Sequence, residues 1–253
     1  VAGLVFWSKN FKPLESYLPE IASRGYRCFF IFTINALPRL FEPHVPDPRE
    51  AITTFRSLAR LFSPEHIHWR YDPIVLTNLT PPEYHLRQFA WLCRQLEGYT
   101  RRCITSFTCF YPKVRRRLHR VLIPAGVGLL ERVSLEQKRE LLEQMAFVAQ
   151  GHGIELHLCC DDALIGEKVK KAHCLDIAVL APLFHVNPEE YRPRPTRSQC
   201  GCYESVDIGM YDTCPHLCVY CYANSNPEKA LASFRAHDPT LPALSSRFAA
   251  GCP

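Results

Sequence analysis

The chain of 253 residues contains no run of about 18 apolar residues, so nothing in it has the length and hydropathy of a membrane-spanning helix. The opening residues read as neither a charged n-region nor an apolar core long enough for a signal peptide, so none is expected in them. These absences exclude a membrane role and point to the cytoplasm. No H-E-x-x-H or related spacing occurs among the 11 histidines, which removes the usual support for a mononuclear zinc hydrolase. No internal repeat is visible. The first residue is valine and the opening Val-Ala-Gly-Leu-Val-Phe-Trp reads as a strand without lead-in, which predicts a truncated start or a valine-coded initiation.

Cysteine, by contrast, is plentiful. Thirteen cysteines are many for a reducing compartment, where clustered thiols more often bind metal than pair as disulfides. Three of them, Cys214, Cys218 and Cys221, stand at C-x3-C-x2-C spacing with Tyr220 just before the last. Three thiolates can hold three irons of a cubane [4Fe-4S] cluster and leave the fourth iron open to a cofactor such as S-adenosylmethionine. The same cysteines with His216 between them also fit a Cys3His zinc site. Four further thiols, Cys159, Cys174, Cys200 and Cys202, come from two segments and predict a second, auxiliary cluster saturated with cysteine. The alternative is that Cys159 and Cys174 are plain buried thiols. Strand alternation sets Cys160 on the opposite face from Cys159. Cys28, Cys93, Cys103 and Cys109 read as packing residues.

A hydrophobic content of 47% supports a sizeable core. Short β-branched or aromatic runs alternate with stretches of helical period, the pattern of βα units around a parallel sheet. Strands are expected at Leu4 to Trp7, Cys28 to Ile34, His66 to Trp69, Cys103 to Phe107 and Ile154 to Cys159. Helices are expected at Pro13 to Arg24, Asp47 to Phe62, Pro81 to Leu96 and Ser134 to Gln150. Polar residues follow the strands, as they do at the catalytic rim of a βα barrel. Lys9, Asn10, Arg70 and Asp72 are the catalytic candidates there, with Arg70 suited to a substrate carboxylate or phosphate. The fold class is therefore α/β, a partial (βα) barrel over 1–186. A proline-rich linker follows over 187–199, then a cysteine-rich cluster-binding segment over 200–237 and a weakly ordered tail over 238–253. Within the cysteine-rich segment, Ser205 to Met210 reads as a short strand and Tyr222 to His237 as a helix, and the cysteine loop is expected at the barrel mouth.

The net charge of +5 permits nucleic-acid partners without requiring them. Arg115, Arg116, Arg117, His119 and Arg120, with Arg101 and Arg102, read as solvated helix faces in preference to a nucleic-acid surface, because no aromatic residues interleave. Glu15 with Glu20, and Asp161 with Asp162, read as hydrated carboxylates and not as acid-base pairs.

The segment Val5 to Asn10, the block Trp69 to Ile74, and Cys200-Gly201-Cys202 followed by Asp207-Ile208-Gly209, Tyr211, Thr213-Cys214, His216, Cys218 and Tyr220 to Asn224 together resemble the bacterial domain of unknown function family 1848. The resemblance covers nearly the whole chain. It implies a C-terminal cysteine cluster similar to the radical SAM signature and brings no activity with it. It also implies a further N-terminal stretch with a Ser-Arg-Arg-Thr-Asp-Ile-like motif that this chain lacks. In radical SAM proteins the cluster loop comes early, so a permuted order is expected here, with Ser205 to Met210 in the place of the first strand. The Gly-Gly-Glu segment common in those enzymes is not evident. The expected function is a radical SAM-like enzyme with an external electron donor and an unknown substrate. A non-enzymatic electron-transfer or cluster-sensing protein and a zinc-stabilised nucleic-acid-binding module are the alternatives.

Overall fold

The computed structural model describes residues 2–241 and Leu244. In chain order its elements are β1 (Leu4–Ser8), α1 (Leu18–Ser23), β2 (Cys28–Thr33), α2 (Pro48–Leu61), β3 (Ile67–Ile74), α3 (Pro82–Leu96), β4 (Arg102–Phe107), α4 (Pro112–Leu122), α5 (Leu135–Gly151), β5 (Glu155–Leu158), β6 (Val169–Lys171), α6 (Ile177–Phe184) and α7 (Pro227–Arg235). They fall into two compact units. The first holds the chain up to Ala36, Pro46–Thr108 and Gly128–Glu204, and the second holds Leu37–Val45, Cys109–Val127 and the chain from Ser205 on. The stretch 187–199, expected as a linker, lies inside the first unit. There Arg194 N–H donates to the Cys202 carbonyl and Glu204 N–H to the Arg192 carbonyl.

The first unit is built on one parallel six-stranded sheet in the order β1-β2-β3-β4-β5-β6. Strictly sequential order means that each crossover steps the same way along the sheet, so the unit is singly wound and has no switch point. Closure into a barrel is not seen, since β1 and β6 are the two edges of the described sheet. Strand alternation gives the sheet two different faces. One carries Phe30, Phe32, Trp69, Tyr71 and Cys103 and packs with Phe55, Phe89, Leu142 and Met145 of α2, α3 and α5 into the main core. The helices form where their residues ask for them. Asp47 caps α2 by accepting from Arg49 N–H, with Pro48 in the first turn, and Ser134 and Gln137 close a capping box on α5. Truncating the fully buried Phe55 to alanine is expected to cost about 3–5 kcal/mol.

The opposite face carries Phe29, Ile31 and Ile104 under Leu180 and Phe184 of α6. Its pattern turns polar toward the strand ends, with His68, Arg70, Ser106 and His157 all buried. Neither α6 nor β6 was expected. A run of Ile-Ala-Val-Leu-Ala-Pro-Leu-Phe shows no helical period, and three residues that include two lysines show no strand period.

In the second unit, α4 begins after Tyr111 with Pro112 in its first turn and buries Val114, Leu118 and Leu122. The residues 205–226 form no helix or strand. Ser205 to Met210 is therefore not the strand that a permuted radical SAM order requires. Val206 and Ile208 are 90% and 82% exposed, and the Asp207 carboxylate accepts from Gly209 N–H in a local turn that competes with an extended ladder. The helix expected from Tyr222 starts five residues later, where Asn226 accepts from Glu228 and Lys229 N–H ahead of Pro227. Cys109 is exposed and not the packing residue the sequence suggests. Among the described residues no helix is long and apolar enough to cross a membrane.

Candidate functional site

Arg70 and Asp72 lie two apart on β3 and share the polar end of the sheet's second face. Asp72 Oδ2 accepts from Arg70 Nε at 3.0 Å and from Nη2 at 2.9 Å, a bidentate pair whose side chains are only 8% and 16% exposed. The other carboxylate oxygen accepts from the Ser106 hydroxyl. Asn35 holds the backbone of Asp72 as a peptide would. Its Oδ1 accepts from Asp72 N–H at 2.7 Å and its Nδ2 donates to the Asp72 carbonyl at 2.8 Å. β2 ends at Thr33, and the Asn35 side chain carries its pairing with β3 one step past the last backbone bond, from Ile34 N–H to the Arg70 carbonyl. The Arg70 guanidinium also lies over the Trp7 ring, 4.6 Å from its centre. Burial works against its charge, but Asp72, Cys174 and Cys159 together outweigh this and hold it protonated. This pair is occupied with itself. Asn10 is likewise occupied, accepting from Lys12 N–H in the turn after β1, and Lys9 is half-buried in the same turn.

Beside Arg70 the fold gathers thiols. Arg70 Nη1 donates to Cys174 Sγ at 3.1 Å, and Cys174 Sγ lies 3.7 Å from Cys159 Sγ. Cys202 lies near enough to Cys174, and Cys200 to Cys202, for each thiol to shift its neighbour's ionisation. Arg197 Nη2 donates to Cys159 Sγ at 3.5 Å. Cys160 joins from the other side, 4.0 Å from Cys159, because Cys160 and Asp161 adopt left-handed backbone at φ 56° and 84° and strand alternation no longer applies there. Two fastenings hold the segments together. Gln199 Oε1 accepts from the N–H groups of Asp161 and Asp162, and Tyr203 N–H donates to the Leu175 carbonyl. Gly201 is needed between its cysteines, since a Cβ there would stand 2.6 Å from the His173 ring. The thiols are not equivalent. Its hydrogen bond to Cys174 and burial push Cys159 up. Cys200 resists burial and comes down to about 7 through hydrogen bonds from Thr196 and Cys202.

The second unit holds Cys214, Cys218 and Cys221 in one irregular loop, Cys218 buried and the other two half-buried. Its backbone is fixed from several directions. Arg117 of α4 donates to the carbonyls of Cys221 at 2.8 Å and Cys218 at 3.5 Å, and also to that of Asn224. Asn224 Nδ2 donates to the Cys214 carbonyl at 2.8 Å, while Val219 N–H donates to Phe41. His44 and His216 clasp each other across the backbone: His216 Nδ1 donates to the His44 carbonyl at 3.1 Å, and His44 Nδ1 to that of Pro215. The Tyr220 hydroxyl donates to the buried Glu42, and burial together with that carboxylate holds the phenol protonated. Asp212 accepts from Lys229 and Ser225, which outweigh its burial and lower its pKa. One acceptor is left over. Asn224 is 2% exposed and its Oδ1 has no partner.

Sequence reasoning set Ser106 among the polar residues that follow the strands but missed the roles of Arg117, Arg197 and Asn35. Arg117 had a readable signal, because it borders the Val114, Leu118, Leu122 stripe and so sits at the edge of the buried face of α4. The others are brought in by tertiary structure and had none. Of the carboxylate pairs, Asp162 is bonded to Lys171, Glu15 to Lys12 and Glu20 to Arg24, each an ordinary surface ion pair. Among the described residues, no three or more His, Cys, Asp or Glu side chains enclose a point where a metal ion would fit as they stand.

No curated protein and no solved structure matches the chain. The profile of one family does, over residues 1–223, which take in the sheet, the Arg70 and Asp72 pair and both groups of cysteines. The chain therefore belongs to the family of domains of unknown function DUF1848.

Proposed function

We propose that this protein is an iron-sulfur protein of radical SAM-like type, with Cys214, Cys218 and Cys221 as the thiolates of a [4Fe-4S] cluster. The observation that carries this reading is a loop of three thiols at C-x3-C-x2-C spacing, whose carbonyls are taken up by Arg117 and Asn224. A loop pinned through its backbone keeps its sulfurs available as ligands. Three soft donors of one kind suit three corners of a cubane and leave one corner without a protein ligand. The orphaned Asn224 Oδ1 beside this loop favours an occupant that brings a hydrogen-bond donor. When bound and reduced by an external donor, such a cluster supplies the electron that cleaves S-adenosylmethionine to a carbon radical. Arg117 and Asn224 hold the loop's shape, and the Tyr220 bond to Glu42 anchors it.

An anaerobic count of iron and sulfide, with electron paramagnetic resonance spectra taken with and without S-adenosylmethionine, tests the reading. Cys214→Ala, Cys218→Ala and Cys221→Ala together should remove about four irons per chain. Unchanged iron in that variant rejects the assignment. A cluster whose spectrum ignores S-adenosylmethionine favours electron transfer. The second reading is a Cys3His zinc site. It draws on the His216 hydrogen bond to the His44 carbonyl, the kind of bond that orients a metal-bound imidazole. A colourless protein with one zinc lost in His216→Ala would favour it.

A further inference from the structure

The thiols of the first unit pose a separate question. Cys159 directly follows β5, Cys174 lies in the loop after β6, and Cys200 and Cys202 flank a glycine that no larger residue can replace without disturbing His173. Cys159 and Cys174 are in direct contact through their sulfurs, and Cys202 lies near enough to Cys174, and Cys200 to Cys202, for each to influence its neighbour's thiol. We propose that Cys159, Cys174, Cys200 and Cys202 close around one thiophilic divalent ion of the zinc class, in a site that shares no ligand with the loop of Cys214, Cys218 and Cys221.

Spacing selects a single ion over a cluster. Bonds of about 2.3 Å to a tetrahedral centre put neighbouring sulfurs about 3.8 Å apart. Cys159 and Cys174 stand at 3.7 Å. Cysteines on separate corners of a cubane are held further apart, each pointing away from its own iron. The donor set of four thiols selects a soft ion, and Asp72, the carboxylate paired with Arg70, has both oxygens engaged by Arg70 and Ser106. The surroundings match a thiolate site. A guanidinium N–H points at Cys174 from Arg70 and another at Cys159 from Arg197, and Asp72 and Trp7 fix the first of these in place. Donors aimed at sulfur are how a protein orients and stabilises metal-bound thiolates from the second shell. Closing the four thiols into a shell requires Cys202 and Cys200 to turn toward Cys159, and both sit in one short turn.

The test uses the full chain carrying Cys214→Ser, Cys218→Ser and Cys221→Ser, so that the other cysteine group contributes nothing. Cobalt(II), then zinc, is titrated anaerobically into the reduced protein. The expected result is one ion per chain, with the ligand-field and sulfur-to-metal bands of a tetrahedral four-thiolate site and displacement by zinc. Adding Cys200→Ser, at the half-exposed end, should lower the sulfur-to-metal band by about a quarter, one ligand of four. Adding Cys160→Ser should leave it unchanged. Far-ultraviolet circular dichroism confirms that each variant is folded. The proposal is overturned if the folded triple variant takes up no cobalt, or if the Cys159 and Cys174 thiols form a disulfide and metal uptake is unaffected. It is equally overturned if Cys160→Ser and not Cys200→Ser removes the band. The iron count of the unmodified chain decides the radical SAM-like reading independently.

Discussion

The two cysteine groups of this protein are organised on opposite principles. In the second unit the thiols share a loop of eight residues, and the protein acts on their backbone, with Arg117 reaching carbonyl oxygens. In the first unit the thiols come from three segments, and the protein acts on the sulfurs, with Arg70 and Arg197 reaching Sγ atoms and cysteine touching cysteine. A local loop needs its shape held. A convergent group needs its members brought to one place, and the sheet, the Gln199 fastening and the glycine at 201 do that.

Removing the arginine from each group separates these principles most strongly. Arg70→Met leaves the Asp72 carboxylate buried with only Ser106 as side-chain partner. Breaking a buried pair in this way costs about 3–5 kcal/mol, more than the cation–π contact with Trp7 or the bond to Cys174 would alone. All three tryptophans, Trp7, Trp69 and Trp91, lie in the first unit, so denaturation followed by tryptophan fluorescence reads this loss directly. Arg117→Met loses hydrogen bonds to neutral carbonyls at a half-buried site, about 1–3 kcal/mol. That loss should leave the tryptophan-detected midpoint unchanged and appear as proteolysis in the loop. Equal effects of both variants on tryptophan fluorescence would erase the distinction.

The same contrast explains what could be read from the sequence. Residues 214–221 announce themselves because their spacing is local. β1 to β5 were legible from runs such as Cys-Phe-Phe-Ile-Phe-Thr, which bury both faces of a parallel strand. The main helices were legible from Asp47, Pro48 and Ser134 at their starts. β6 and α6 were not, being too short or too uniformly apolar to show a period. The division into units was hidden as well, since the second unit borrows residues 37–45 and 109–127 from loops between sheet elements. The basic run from Arg115 to Arg120 is a composition change there, but it reads as a solvated helix face and not as a boundary. Cys160 was misjudged because alternation was extended past the last strand residue, into a turn where φ changes sign.

A smaller effect sharpens the comparison at the level of single glycines. Gly201→Ala brings a Cβ to 2.6 Å from the His173 ring, and that ring cannot simply swing away because its Nδ1 bonds the Gly201 carbonyl. We expect a cost of about 1–3 kcal/mol from overpacking, with weaker metal uptake by the first unit. Gly209→Ala, in the second unit, meets only the Asp207 carboxylate at 2.9 Å, the mobile end of an exposed side chain. Its cost should stay below about 1 kcal/mol, the worth of the one hydrogen bond it disturbs. Chemical denaturation of both variants, with cobalt uptake as second readout, checks the pair. A Gly201→Ala variant that binds cobalt as well as the unmodified chain would mean that the turn carrying Cys200 and Cys202 does not need its present shape.

The last effect is absent at neutral pH and grows with acid, and it belongs to the first unit. His68 lies on the same face as Arg70, edge-on to Phe29, with its Nδ1 unpartnered. Burial, then the charges of Arg102 and His157, lowers its pKa from 6.5 to about 3. His85 is brought by burial to about 4, its ring held between the Tyr71 hydroxyl and the Val75 carbonyl. Between these values and 6.5 the unfolded chain binds protons that the folded chain refuses, so stability is complete above 6.5 and falls as pH drops toward 3. The loss approaches about 1.4 kcal/mol per pH unit for each histidine. His68→Phe keeps a ring against Phe29 and removes both the orphaned nitrogen and the proton. The variant should match or exceed the unmodified chain at neutral pH. Its tryptophan-detected stability should then fall less steeply with acid, by one proton's worth of slope. If the two slopes coincide, His68 takes up its proton in the folded protein, and the polar end of this sheet face is more hydrated than its packing implies.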